Sequence, residues 1–425
     1  MLAAIAALLA VQSLTFRTSE IDVTPPEPLP LGGYTARNGA EFEQGGEPLY
    51  ARTLLLEVQG ARVAIVSLES LTIPRSLASE VSKRIPADTR LMLVATHTHS
   101  APDSQMLNDR MTFKVPGIAT FSRRWLGWYA DRIAQGIEAA AAADPMEGSE
   151  LRLAWAEVPA NRARRKGATP DQTATWATFR RKPVLTVYAA HGTVLDETRL
   201  TTSGDWPGAY AAAVGGLLLQ GPIGDVSPDV HGDDPVDNLA SMVERLEAGL
   251  AVAQVKALWP EGGVLRFVKE PIQLGAATPH PDFAEYYGVA SPLDQVLVSR
   301  FAPVSAEVTV VLLGSLLLIG IPGEPTSEVG RKVQLTAQGL GFPQSVVVSH
   351  CNGWIGYILE PEDYDRGGYE ATLSFNGRDT AVKVQEAVAR ALARLRALDH
   401  RSARLNTDVC IRPCAFETLS PIVIP

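Results

Sequence analysis

The sequence predicts an α/β protein, with a mixed sheet and flanking helices in one main domain. Short runs rich in aliphatic and β-branched residues alternate along the chain with longer segments whose apolar residues recur at helical spacing. This alternation is typical of α/β and α+β architectures. The chain has 425 residues, enough to bury a sizeable core, and neither an internal repeat nor a long low-complexity linker divides it.

Two strands joined by a turn open the body of the chain. Residues 53–58 and 63–68 are strand-like, and Gln59-Gly60-Ala61 between them predicts a turn. The other predicted strands are 91–95, 184–190, the two halves of 308–322 on either side of Gly314-Ser315, and 345–349. The predicted helices are 76–84, 125–143, 238–258 and 380–398. Residues 210–220 are predicted as a helix or a strand that leads into a glycine turn.

Composition excludes several classes of protein. The residues are 46% hydrophobic and 20% charged, which is typical of a globular chain. The net charge of −9 and the lack of an extended basic stripe exclude a nucleic-acid partner. The three cysteines form no CxxC pair, which excludes a zinc ribbon and a disulfide framework, although a local Cys410–Cys414 bridge stays open.

The N-terminus allows two interpretations. Residues 1–13 are an apolar run of signal-peptide length without the usual basic start, so they indicate either a signal peptide within residues 1–15 or an alanine-rich helix. The first interpretation predicts a secreted or periplasmic protein, and the second allows a cytoplasmic one. The later apolar run at 308–322 is too short to span a membrane.

Several predicted strands lead into polar side chains that can bind a metal ion or move a proton. The strand at 91–95 leads into His97 and His99, and the strand at 184–190 leads into His191. In open α/β sheets, functional sites gather beyond the carboxyl ends of the strands, so we expect these groups to converge. The other groups that follow apolar runs are Asp225, Ser227, Glu324, His350 and Tyr357.

This set of side chains favours a zinc site. Neutral imidazole and carboxylate are ordinary zinc ligands, and catalytic zinc keeps one position for water. Alternate residues of an extended segment face the same side, so His97 and His99 can point into one pocket. One of them can then bind the metal while the other orients it or transfers a proton.

Each residue taken alone also has a structural interpretation. His191 can be a core or loop histidine, and Glu324 can stabilise the N-terminus of the helix that follows it. Ser227 can form a turn with Asp225, and Tyr357 can be an ordinary buried or surface tyrosine. The shared order, in which each group follows an apolar run, favours the functional interpretation.

Taken together, these segments resemble the neutral/alkaline (non-lysosomal) ceramidase family. The resemblance starts at IDVTP, residues 21–25, and runs to about residue 380. The motifs that carry it are ATHTHS, Asn161-Arg162, AAHGT followed by SGD and GAYAA, GDVSPD, PGEPTSEVGRK and NGWIGYILEPEDYDRGGYEA. The last motif is long, and the spacing of its tyrosines matches the family closely.

The resemblance implies a zinc ion and its ligands. The positions that match the family's ligands are His97, His191, Glu324 and Tyr357. General zinc chemistry does not favour a tyrosine ligand, so Tyr357 depends on the resemblance alone.

The resemblance also implies further catalytic residues. His99 matches a second active-site histidine, Arg162 an active-site arginine and Tyr369 a second essential tyrosine. Ser227 matches the serine described as the nucleophile in the family, with Asp225 two residues before it.

Two mechanisms stay open, and we expect zinc to supply the attacking water. No G-x-S-x-G elbow occurs in the chain, and Ser227 has no adjacent base in sequence. Arg162 and Tyr369 are expected to stabilise the oxyanion, where one donor contributes about 2.7–4 kcal/mol. His99 is expected to pass a proton to the leaving amine. Attack by Ser227 itself is the alternative.

The expected activity is zinc-dependent hydrolysis of the N-acyl amide bond of ceramide or a related lipid amide, which releases a fatty acid and a sphingoid base. One alternative is hydrolysis of a different, soluble amide or ester with the same zinc site. Another is a non-catalytic relative that binds lipid or glycan. The expected partner is the lipid substrate, presented at a membrane surface in one version of the hypothesis, and no obligate protein partner is evident.

The expected domain organisation follows the resemblance. Residues 16–400 are expected to form a ceramidase-type catalytic domain and residues 401–425 an irregular tail, without the C-terminal immunoglobulin-like domain of the full-length family members. The sequence departs from the family pattern at three places: residues 101–104 replace a glycine-rich turn, Pro325 replaces a phenylalanine, and Trp354 replaces an early tyrosine.

Overall fold

The computed structural model of this chain describes residues 13–289 and 291–402. Most of the segment interpreted as a signal peptide or an N-terminal helix lies outside the described residues, as do Cys410 and Cys414. The predicted tail from residue 403 onward also lies outside them.

The first sheet consists of β1 (Thr15–Asp22), β2 (Tyr50–Val58), β3 (Ala61–Leu68), β4 (Thr89–Ala95) and β5 (Met146–Glu147). Its strand order is β4-β3-β2-β1-β5, and β3 and β4 are parallel. The predicted hairpin of β2 and β3 is confirmed. Gln59 and Gly60 in its turn have φ angles of 50° and 82°, as a two-residue hairpin loop requires.

The second sheet consists of β6 (Leu151–Glu157), β8 (Thr173–Phe179), β9 (Lys182–Tyr188), β10 (Leu217–Gln220) and β12 (Gln254–Ala257). Its order is β10-β9-β8-β6-β12, and β9 and β10 are parallel. The short strands β7 (Asn161–Ala163) and β11 (Val226–Pro228) form a separate antiparallel pair.

The third sheet consists of β13 (Leu265–Ile272), β14 (Ala306–Leu313), β15 (Leu316–Gly320) and β17 (Ser345–Val348), in the order β13-β14-β15-β17. β14 and β15 are the predicted hairpin around Gly314-Ser315. A side chain at Gly314 would lie 2.1 Å from the Leu258 carbonyl oxygen, so the close approach of the backbone explains the glycine. The short strands β16 (Glu324–Pro325) and β18 (Tyr357–Ile358) are parallel partners.

Within the described part of the chain the α-helices are α1 (Arg75–Ser82), α2 (Arg123–Ala142), α3 (Asp205–Val214), α4 (Pro235–Ala251), α5 (Phe283–Tyr286), α6 (Leu293–Phe301), α7 (Ser327–Gly339), α8 (Pro361–Asp365), α9 (Tyr369–Thr372) and α10 (Thr380–Ser402). The predicted helices at 76–84, 125–143 and 380–398 are confirmed as α1, α2 and α10. No helix among these residues is both long enough and apolar enough to cross a membrane.

The three sheets share one apolar centre, here called the central core, which includes Leu54, Leu185, Leu219 and Leu318. Alternate residues of each strand point away from it, as the two-residue period of a strand requires. The outer faces of the sheets are covered in turn by α1 with α2, by α3 with α4, and by α7 with α10. The fold is therefore three sheets around a common centre with helices outside.

The structure refines one predicted element and contradicts part of another. Residues 210–220 contain both predicted alternatives, because α3 ends at Val214 and β10 begins after the positive φ angles of Gly215 and Gly216. The helix predicted at 238–258 is wrong in its last part. α4 ends at Ala251, and residues 254–257 pair with β6 as an edge strand, which satisfies their backbone groups in place of further helical turns.

Candidate metal centre

The predicted zinc ligands come from loops and short strands that follow the ends of parallel strands. His97 lies two residues after β4, and His191 lies three residues after β9. Glu324 and Tyr357 are direct register partners in the parallel pair of β16 and β18. The fold therefore brings to one place residues that are separated by up to 260 positions in sequence.

Three ligand atoms lie close enough to hold one metal ion. The side-chain atoms of His97, His191 and Glu324 that can bind a metal lie within 4.8 Å of one another. Glu324 Oε2 lies 3.6 Å from His97 Nε2 and 3.4 Å from His191 Nε2. The three residues are 3%, 1% and 2% exposed, so bulk water does not compete for these atoms. We call these three residues the His-His-Glu cluster.

Backbone carbonyls fix which ring nitrogen of each histidine faces the cluster. Nδ1 of His97 lies 2.7 Å from the Leu71 carbonyl oxygen, and Nδ1 of His191 lies 2.8 Å from the Val226 carbonyl oxygen. A carbonyl only accepts, so each Nδ1 carries the proton and donates it. Each Nε2 of the neutral ring then presents a lone pair to the cluster, which is the usual arrangement behind metal-binding histidines.

Glu324 has one satisfied and one unsatisfied oxygen. Trp354 Nε1 donates a hydrogen bond of 2.8 Å to Glu324 Oε1. The other oxygen, Oε2, is buried and has no hydrogen-bond partner among the described residues. Buried polar atoms are normally paired, and two imidazole lone pairs face this oxygen without a proton between them. A cation would satisfy all three atoms, so the residues present fit a bound metal ion.

The protonation states of the three residues in the cluster are those required for binding a metal ion. Burial lowers the pKa of His97 and lowers the pKa of His191 to about 3, so both rings are neutral near pH 7. Burial alone would raise the pKa of Glu324, but the facing imidazoles outweigh it and hold this pKa well below its ordinary value. Two neutral nitrogens and one carboxylate are deprotonated ligands in the sense that metal binding requires.

Tyr357 lies beside the His-His-Glu cluster. Its hydroxyl oxygen is 3.3 Å from His191 Nε2, and the two rings are nearly parallel. Burial and Glu324 raise the pKa of Tyr357 well above its ordinary value, whereas Arg164 opposes this shift. The phenol oxygen therefore lies next to one of the ligand atoms of the cluster.

His99 adjoins the cluster on the side of His97. Its Nε2 lies 3.4 Å from His97 Nε2, and its Nδ1 is buried without a hydrogen-bond partner among the described residues. Gly33 packs directly against this ring: a Cβ there would lie 2.4 Å from the His99 ring, and Gly33 has a φ of 88°. Only glycine satisfies both conditions without strain, so the GGY segment fixes the position of His99.

The remaining predicted catalytic residues lie in two places. Ser227 and Arg162 are opposite each other in the pairing of β11 with β7, next to Val226, whose carbonyl holds His191. Arg162 is exposed. Tyr369 is 41% exposed, and its ring centroid is 5.9 Å from that of Tyr357.

The contacts of the Asp225 carboxylate are with the start of α7. Its Oδ1 accepts hydrogen bonds of 2.7 Å and 2.8 Å from the backbone N–H and the hydroxyl of Ser327, in the first turn of α7. Burial raises its pKa, and these hydrogen bonds oppose the shift. Its contacts therefore hold the N-terminus of the helix that follows Glu324.

Two residues beside the cluster had no assigned role in the sequence analysis. The ring of His350 is fully buried and stacks on His97 at 4.4 Å, and its backbone N–H donates to the Gly323 carbonyl oxygen. The guanidinium of Arg164 lies 6.0 Å from the centre of the Tyr357 ring. The sequence signal for Arg164 was its position two residues after Arg162 in an extended segment, which places both side chains on one face.

Comparisons with known proteins identify the fold. No protein-family model matches the chain. A segment of 99 residues, 22% of the chain, is 32% identical to a neutral ceramidase of Mycobacterium tuberculosis, and the match spans 16% of that protein's length. The crystal structure of neutral ceramidase from Pseudomonas aeruginosa matches 91% of this chain and 75% of its own chain, with a TM-score of 0.74 and 17% identity. A ceramidase complexed with C2 matches 91% of this chain and 76% of its own, with a TM-score of 0.75 and 17% identity.

Proposed function

Because the chain has a neutral-ceramidase-like fold, we propose that it is a zinc-dependent amidohydrolase. The proposed reaction is hydrolysis of the N-acyl amide bond of ceramide or a related lipid amide to a fatty acid and an amine. The observation that carries this proposal is the His-His-Glu cluster, in which two imidazole nitrogens are oriented toward a buried carboxylate oxygen that lacks a partner.

The donor set supports zinc. His97, His191 and Glu324 would hold the ion with two nitrogens and one oxygen, and Tyr357 is within reach as a further oxygen ligand. Zinc at such a site polarises a substrate carbonyl and lowers the pKa of bound water toward 7. The carbonyls of Leu71 and Val226 keep both Nε2 lone pairs available at neutral pH.

His99 is the proposed proton carrier. Its ring adjoins His97, and burial holds its pKa well below the ordinary value, so the ring is neutral near pH 7 and gives up a bound proton readily. Its Nε2, which lies beside the cluster, is the atom proposed to pass a proton to the leaving amine.

The solvent-accessible residues Arg162, Ser227 and Tyr369 are proposed to bind the substrate. Arg162 and Ser227 are cross-strand neighbours, so a guanidinium and a hydroxyl can contact the same polar group. Tyr369 is proposed to donate a hydrogen bond to the oxyanion. Asp225 is proposed to act indirectly, because it binds the first turn of α7 and so positions the preceding Glu324 segment.

A row of tyrosines supports a lipid substrate rather than a soluble one. The ring centroids of Tyr369 and Tyr286 are 6.2 Å apart, and those of Tyr286 and Tyr287 are 5.0 Å apart. Tyr286 is 56% exposed, and Leu293 on α6 is 52% exposed. Exposed aromatic surface beside Tyr369 is suited to a hydrocarbon chain or to a lipid surface.

The test is a combined assay of metal content and hydrolysis. We expect purified protein to contain about one zinc per chain and to release fatty acid from N-acyl sphingosine faster than from a short, soluble N-acyl amine. The His97→Ala variant is expected to lose both zinc and activity. The matched control is His231→Asn, since His231 is an exposed histidine. Wild-type protein that binds no zinc and cleaves neither amide would overturn the proposal.

Ser227→Ala separates the two mechanisms that the sequence leaves open. If Ser227 only binds substrate, the variant retains part of its activity and no acyl-enzyme accumulates in the wild type. Complete loss of activity, together with an acyl-enzyme trapped on the wild-type protein and detected by mass spectrometry, would establish serine as the nucleophile instead.

A further inference from the structure

Glu370 is a buried carboxylate shared by two consecutive arginines. Its Oε1 lies 3.5 Å from Arg164 Nη2, and its Oε2 lies 3.0 Å from Arg165 Nη1. Arg165 also donates to the carbonyl oxygens of Asp363 and Gly367. This arrangement, here called the Glu370 fork, ties the end of β7 to the segment that carries Tyr369.

Arg164 extends the fork toward the metal centre. Its Nη2 donates a hydrogen bond of 2.7 Å to the Gly224 carbonyl oxygen, and its backbone N–H donates to the carbonyl oxygen of Asp225. Gly224 in turn donates to the Pro325 carbonyl oxygen, one residue after Glu324. Arg164 thus contacts the segment that supports Glu324.

The same guanidinium lies beside the phenol of Tyr357. Its Cζ is 6.0 Å from the centre of the Tyr357 ring, and its Nε is buried without a hydrogen-bond partner among the described residues. The guanidinium therefore packs against the ring of Tyr357 on one side while its Nη2 reaches Glu370 and the Gly224 carbonyl oxygen. Arg164 is thus one contact away from the His-His-Glu cluster, because the Tyr357 hydroxyl lies 3.3 Å from His191 Nε2.

We propose that Arg164 is a positioning residue of the metal centre: through the Glu370 fork it fixes Tyr357 and Tyr369 against the His-His-Glu cluster. This inference rests on the metal-binding part of the proposed function. It predicts that loss of the guanidinium changes the coordination of the metal and not only the stability of the chain.

The molecule contains a matched control. Glu270, on β13, is also shared by two arginines: its oxygens lie 2.9 Å from Arg390 Nε and 2.8 Å from Arg394 Nη1. Both arginines belong to α10, and Glu270 itself is buried. This Glu270 fork has the same chemistry as the Glu370 fork but joins a helix to the third sheet.

The experiment compares zinc affinity and the visible spectrum of the cobalt-substituted protein in variants of the two forks. Arg164→Gln is expected to lower zinc affinity about 10–100-fold, the usual effect of removing a residue that orients a ligand, and to alter the cobalt bands. Glu370→Gln is expected to act in the same direction. Arg164→Lys keeps the charge but loses the fork, so we expect an intermediate affinity and a spectrum closer to the wild type.

Arg390→Gln and Glu270→Gln are the controls, and they are expected to lower the unfolding temperature while zinc affinity and spectrum stay unchanged. If Arg164→Gln does not fold, Arg164→Lys and Glu370→Gln provide the same comparison. Wild-type zinc affinity and cobalt bands in the folded Arg164 and Glu370 variants would overturn this inference and leave the proposed function intact. Wild-type protein that binds neither metal would instead overturn the proposed function.

Discussion

The strands that form the central core lead directly into the segments that form the His-His-Glu cluster, yet the two regions obey opposite rules. β4 and β15 contribute Val94 and Leu318 to the central core, which consists of buried apolar side chains. A few residues further along, burial is just as complete, but the side chains are His97 and Glu324. Burial of apolar side chains stabilises the central core. Burial of the histidines and the carboxylate costs free energy, because these groups lose their contacts with water. Such a cost is typical of functional sites.

The distribution of unsatisfied atoms marks the boundary between the two regions. Among the described residues, most buried side-chain polar atoms without a partner belong to segments next to the cluster; they are on Thr96, His99, Ser100, Asn161, Arg164, Glu324, Thr326 and His350. Such atoms destabilise a fold and are rare in native proteins. Their concentration beside the His-His-Glu cluster indicates that this region is adapted to bind a ligand rather than to stabilise the fold.

The largest effect is expected from Glu324→Gln, which removes the charge of the cluster and keeps its shape. Zinc affinity should fall more than about 100-fold, because the loss of a ligand exceeds the loss of a residue that orients one. Without metal the variant should remain folded, since glutamine keeps the volume of the side chain and an oxygen that can accept the hydrogen bond from Trp354. Zinc titration and thermal unfolding in a chelator measure both quantities.

The matched control for this variant is Glu328→Gln, which changes an exposed glutamate four residues away that pairs with Arg331. It should leave zinc affinity unchanged. A Glu324→Gln variant that still binds zinc like the wild type would mean that the cluster is a structural feature and not a metal centre.

Leu318→Ala tests the opposite region. Leu318 is fully buried in the central core, so the cavity should lower the free energy of unfolding by about 2–5 kcal/mol. Zinc affinity of the folded variant should stay within about twofold of the wild type. Denaturant unfolding and zinc titration measure the two effects.

The control for the core is Leu335→Ala on α7, because this leucine is 50% exposed and its loss should change stability by less than about 0.5 kcal/mol. Zinc affinity that falls in proportion to stability in Leu318→Ala would show that the two regions are not separable.

The sequence predicts the core better than the layers around it. The apolar runs at 91–95, 184–190 and 345–349 are recognisable because their strands are buried on both faces. β1 and β6 were not predicted, since TFRTSEID and LRLAWAE interleave polar side chains with too few apolar ones. The edge strand β12 was predicted as helix for a related reason: its pairing with β6 is decided by tertiary structure and not by local pattern.

The candidate site also has features that the sequence predicts and features that it does not. Position after a strand pointed to His97, His191 and Glu324, and the resemblance added Tyr357. No local pattern reports that the Leu71 and Val226 carbonyls set the tautomers, because these contacts join segments 26 and 35 residues apart. Nor does sequence spacing distinguish the half-buried Arg164 from the exposed Arg162.

Asp103 can be compared with Glu324, because it is a buried carboxylate outside the His-His-Glu cluster and both of its oxygens accept hydrogen bonds. Its oxygens accept hydrogen bonds from the backbone N–H groups of Gln105 and Ala119. Burial nevertheless raises its pKa to about 6 from an ordinary value of 3.8. The folded state therefore binds more protons than the unfolded state between about pH 4 and 6, and stability from this group falls as pH rises through that window.

The measurement is the denaturation midpoint of the wild type and of Asp103→Asn from pH 4 to 7. Because the variant cannot titrate here, the wild type should lose about 1–3 kcal/mol relative to it between pH 4 and 6, and nothing further above. Parallel curves for the two proteins would show that this carboxyl is ionised throughout, and that hydrogen bonds alone suffice to keep a buried carboxylate charged.

The smallest effect is expected from Trp354→Phe, which keeps an aromatic ring against Phe375 but removes the hydrogen bond from the indole to the Glu324 carboxylate. The carboxylate then loses its orientation, and zinc affinity should fall about 10–100-fold with little change in stability. Trp176→Phe is the matched control, because it removes an equivalent indole hydrogen bond, to the Tyr210 hydroxyl, on the outer face of the second sheet. Zinc titration should separate the two variants, and equal affinities would mean that Glu324 is held by packing alone. In that case the role of Trp354 is to pack against Phe375, and its indole hydrogen bond does not contribute to metal binding.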